Sequence, residues 1–60
     1  MRLMFSARGE GTYNVYHRFR LAGSVWSYGR LGWCAFDSRL RLVDGFFPTR
    51  DAAAIALVQQ

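Results

Sequence analysis

Arginine is the residue type in this chain with most chemistry to offer. All eight basic residues are Arg, and four carboxylates oppose them, leaving a net charge of +4. A guanidinium is planar and always charged, and it grips phosphate or guanine through paired hydrogen bonds that an ammonium cannot form. Coding bias in a GC-rich genome also favours Arg over Lys, so position must carry the argument. Tyr16, Arg18 and Arg20 recur at every second residue of TYNVYHRFR, and Arg30, Arg39 and Arg41 follow downstream. On a strand, that spacing sets Tyr16, Arg18 and Arg20 on one face. Such a face can lay a phenol on sugar and guanidinium groups on phosphates or base edges. The solvated side of an ordinary antiparallel sheet is polar as well. These six residues therefore define a candidate surface for nucleic acid, DNA above all, or for an acidic host protein surface.

The remaining reactive types read as structural. His17 is the sole histidine; it falls on the apolar side of its stretch, with no carboxylate or nucleophile placed near it by spacing. Cys34, between Trp33 and Ala35, reads as a small buried hydrophobe. Asp37, Asp44 and Asp51 each occupy a turn or a first helical turn, where Asp serves the backbone. No metal-ligand spacing occurs, and no glycine-rich loop feeds a helix to cradle phosphate. Neither enzyme activity nor a metal or cofactor is expected.

The element that must organise the rest is a helix over residues 50–59. Thr49 is a good N-cap, Asp51 suits the positive end of the helix dipole, and four alanines lower the helical cost. Those alanines allow close approach but supply little volume, so the reading asks the aromatics of the first 47 residues to fill the core. Residues 12–20 alternate as a strand. A turn at Ala22 and Gly23 leads to a returning strand over 25–31, then a third over 33–36. A turn at 37–39, a short strand over 40–43 and a turn at Asp44 and Gly45 complete the sheet. Residues 1–11 read as a short strand or a flexible arm with a turn at 8–11. Two hairpin registers remain open. One pairs Phe19 with Trp26 and His17 with Tyr28, giving a heavy aromatic core; the other pairs Arg20 with Trp26 and Tyr16 with Arg30, placing Val15, Phe19, Leu21, Val25 and Leu31 inside. One residue of slip exchanges the faces. The aromatic core is preferred, and either register sets Tyr16, Arg18 and Arg20 opposite Phe19.

The expected fold class is α+β, one domain spanning 1–60, with a three- or four-stranded antiparallel sheet under one C-terminal helix. Sixty residues bury only about 60% of their unfolded surface, so self-association or a partner is in keeping with the size. A hydrophobic fraction of 52% argues against disorder. The single Cys, with no signal-like leader, points to the cytoplasm, and no stretch approaches membrane-spanning length.

Residues 32–57, GWCAFDSRLRLVDGFFPTRDAAAIAL, resemble the small arm-type, or AP2-like, N-terminal DNA-binding domains of phage integrases. Trp33, Arg39, Arg41, Phe47, Thr49 and Ala53 carry the likeness. The resemblance implies a sheet laid in the DNA major groove with the helix packed behind it. Two functions follow as expectations. One is a small basic DNA-binding accessory or regulatory protein; the other is a phage- or prophage-type effector that inhibits a host complex through an aromatic and Arg surface.

Overall fold

The computed structural model describes residues 2–59. Four strands, β1 (Leu3–Gly9), β2 (Thr12–His17), β3 (Arg20–Ser27) and β4 (Trp33–Asp37), form one antiparallel sheet in sequence order. A 3-10 turn at Gly29–Leu31 joins β3 to β4, and helix α1 (Arg50–Val58) closes the fold. This is the α+β architecture expected from the residue pattern, with four strands. Residues 3–9 of the N-terminal segment form a full strand; Met1 lies outside the described residues.

The first hairpin turns elsewhere than expected. Arg18 and Phe19 are its two loop residues, with φ of 54° and 66°. Positive φ at both positions is the type I′ pattern, whose twist matches that of the flanking strands. Neither expected register forms, because Ala22 and Gly23 lie within β3. Tyr16 pairs with Leu21, Val15 with Gly23 and Tyr13 with Val25, so Ala22 is an extra, unpaired residue, a β-bulge. Gly23 is there for close approach. A β-carbon at this position would be driven into the Phe36 carbonyl and against the Leu57 side chain.

The helix begins as its sequence requires. Thr49 Oγ1 accepts a hydrogen bond from the Ala52 amide at 3.1 Å, and Asp51 occupies the first turn. Its packing is different from the expectation of bulky partners. Ala53 and Ala54 are fully buried against Val15, Val25 and Ala35, with Val43 and Leu57 completing the centre. The largest fully buried side chains are valines. Small residues on both surfaces bring helix and sheet together, and little volume is left to fill. Phe5, Tyr13, Trp33 and Phe47 pack around this centre. Phe19, Tyr28 and Leu31 are exposed, and Trp26 is on the sheet face away from the helix.

Arg50 closes one flank. Its guanidinium lies 4.0 Å from the centre of the Phe5 ring and 5.0 Å from that of Tyr13, a cation–π arrangement. The outer edge of β4 is covered by the returning chain. Val43 donates to Ala35 at 2.8 Å, and Phe47 and Trp33 exchange two bonds of 2.8 Å. The strand expected over 40–43 is reduced to a single bridge between Leu42 and Phe36, because Leu40 and Asp44 turn left-handed at φ of 63° and 59°. Covering that edge removes a row of unpaired backbone groups from solvent.

Gly23→Ala tests the close approach. The clash is with backbone and cannot relax by a rotamer change, so unfolding in urea should show a loss of about 3 kcal/mol. An unchanged midpoint would mean that the Phe36 carbonyl and the Leu57 side chain are not held this close to Gly23.

Candidate functional site

Strand pairing decides which arginines meet. Leu3 pairs with His17, so Arg2 stands beside the β2–β3 tip that carries Arg18 and Arg20. Gly23 pairs with Asp37, which brings the loop after β4 to the same end. That loop is a tight three-residue turn: Leu40 donates to the Asp37 carbonyl at 2.9 Å and Asp37 donates to the Arg41 carbonyl at 3.0 Å. Arg2, Arg18, Arg20, Arg39 and Arg41 therefore gather at one end of the sheet, all exposed. Arg30 does not join them. It lies in the 3-10 turn beyond the far end of β3, roughly 25 Å away along an eight-residue strand.

The shared face expected for Tyr16, Arg18 and Arg20 is not formed, because Arg18 sits in the turn and Arg20 pairs with His17 on the helix side. Tyr16 does face away from the helix, in a row with Met4 and Leu21. Arg2, Met4, Tyr16, His17, Arg18 and Phe19 line a shallow depression of about 340 Å³ at this end. A second, of about 370 Å³, runs along the open face from Arg8 to Ser38 and Leu40, past Asn14, Leu21 and Ser24. Further along that face, Trp26 Nε1 donates to Ser24 Oγ at 2.9 Å and its ring meets Phe36 edge-on at 5.8 Å. Cys34, in the same row as Trp26, is buried, and desolvation pushes its thiol pKa up. A neutral thiol of this kind is a poor nucleophile.

The carboxylate nearest the basic end is already engaged. Asp37 Oδ1 accepts from the Arg39 amide at 2.8 Å and from the Arg41 amide at 2.9 Å. The Arg41 amide is the largest cause holding the Asp37 pKa below the ordinary carboxylate range. Desolvation opposes it, while the Arg39 amide and both guanidinium charges add to it. Among the described residues, the one ion pair joins Arg50 to Asp51 at 3.6 Å, away from this cluster. Among the described residues, none of the arginines at this end forms an ion pair.

Sequence reasoning missed Arg2, Phe19 and Leu40 as part of this end. A signal was present in the triplets Arg18-Phe19-Arg20 and Arg39-Leu40-Arg41. The second turn was expected over 37–39, and the structure has it there; the first was masked because Gly23 drew the expected turn to Ala22 and Gly23. Among the described residues, no group of three or more His, Cys, Asp or Glu is placed to hold a metal ion. Among the described residues, no helix is long and apolar enough to cross a membrane.

The Asp37 geometry has a pH signature. A carboxyl whose folded pKa is depressed adds stability that is complete above its unfolded value of 3.8 and is lost as pH falls through the lower, folded value. Thermal unfolding of the native chain should weaken in acid below that point more steeply than unfolding of Asp37→Asn. Parallel acid profiles for the two would show that the Asp37 charge does not hold the loop.

Comparison with known proteins finds no family model, no curated protein and no solved structure that matches this chain.

Proposed function

We propose that this chain is a small cytoplasmic DNA-binding module of accessory or regulatory type, engaging duplex DNA through the arginine-bearing end of its sheet. One observation carries the reading: five exposed arginines converge there, while the adjacent carboxylate is spent on backbone amides. Concentrated positive charge of this kind binds the phosphate backbone and releases counterions. Tyr16 and Met4, in the adjoining depression, offer flat and apolar contact to sugar and base. Catalysis has no part in this reading.

A second patch supports a second reading. At the far end Tyr28 and Phe46 meet edge-on at 5.9 Å, and Leu31 and Arg30 are exposed beside Tyr28. An aromatic cluster with an arginine is the make-up of a protein-binding hot spot, the surface by which an effector would occupy a host complex.

Fluorescence anisotropy of a labelled duplex across a salt series separates the two. Arg18→Ala with Arg20→Ala should lower the slope of log affinity against log salt by about 2. Phe46→Ala should leave DNA affinity unchanged. Unaltered affinity and slope in the double arginine variant would remove the sheet end from the interface.

A further inference from the structure

Two loop tips at the basic end repeat one design: a large apolar residue, an arginine on either side, and a left-handed backbone at the apolar residue. Phe19 has φ 66° and is 94% exposed; Leu40 has φ 63° and is 68% exposed. Both choices oppose folding. Left-handed backbone suits glycine or asparagine, and a bulky side chain there is strained. High exposure then returns little burial energy to offset it. Strain of this kind persists where the surroundings enforce it, and it clusters at sites that use it. Here pairing and hydrogen bonds hold both tips. The Phe19 tip is clamped by the His17–Arg20 pair, and the Leu40 tip by the two amides bound to Asp37.

We infer that Phe19 and Leu40 are paired wedges that enter between DNA base pairs while Arg18, Arg20, Arg39 and Arg41 hold the phosphates on either side. The inference rests on the DNA-binding reading and specifies its mode: duplex recognised through its ability to unstack and bend. Apolar side chains inserted at a base step kink the duplex, and the flanking phosphates then close on the protein. The arginines decide against an apolar protein pocket, which would have to bury four charges to receive the two tips. Bendable pyrimidine–purine steps are the expected preferred sites.

The test is energy transfer between dyes at the two ends of a short duplex containing TA steps, read together with anisotropy and thermal unfolding. Phe19→Gly with Leu40→Gly removes both wedges and relaxes the backbone. That variant should melt at a higher temperature than the native chain, keep its salt slope, lose the bend and bind about tenfold more weakly. Higher stability with weaker binding is a pairing that a purely structural role for these residues would not produce. Bending and affinity equal to the native chain would overturn the wedges and leave the DNA-binding reading standing. Failure of the native chain to bind the duplex would overturn both. Binding instead to vesicles of anionic phospholipid, lost in the glycine variant, would reassign the tips to a membrane surface.

Discussion

The structure depends on how closely one short helix approaches the sheet. Ala53 and Ala54 of the helix meet Val15, Val25 and Ala35, and Gly23 lets the neighbouring backbone and Leu57 come nearer than any side chain would permit. In a chain of this length the buried surface is small, so stability must come from density of contact. A small-on-small interface achieves this with few atoms. It also sends the larger aromatics elsewhere: some ring the helix, and others remain on the open face or at the ends.

That displacement has a consequence for the surface. A core of valines and alanines requires neither Trp26 nor Phe36 nor Phe19, and all three stay outside it. Trp26 and Phe36 contact one another over the open face, beside the buried Ser24 and Cys34. Phe19 stands clear at a tip. The bulge at Ala22 contributes to this arrangement, since the extra residue places Leu21 beside Tyr16 and returns Gly23 to the row under the helix. Charge follows the same geometry. Antiparallel pairing folds distant parts of the sequence, around residues 2, 18–20 and 39–41, onto one end, and Asp37 shapes the last of these loops at the cost of its own free acceptor.

The chain's order of strands and a final helix was legible from residue types alone, because alternation, capping and the alanine run act over a few neighbours. Thr49 caps the helix by a bond to a residue three positions on, and Asp51 acts within the first turn. Position along the sheet is a longer-range matter. Ala22 and Gly23 look like a turn, yet Gly23 serves a contact with Phe36 and Leu57 that no local pattern announces. The arginines show the same division: their number and excess over carboxylates can be counted, whereas the company each keeps depends on a register that one bulge shifts.

Residue types by themselves therefore determined the fold class, the limits of the helix to within a residue or so, and the surplus of positive charge. These follow from backbone preference and composition, both of which are local or additive. The tertiary structure alone decided that the first hairpin turns at Arg18 and Phe19, that Arg30 is parted from Arg18, Arg20, Arg39 and Arg41, and that two apolar residues project from the basic end. Those outcomes were set by which small side chains allow helix and sheet to touch, and that choice pulls the register of every strand along with it.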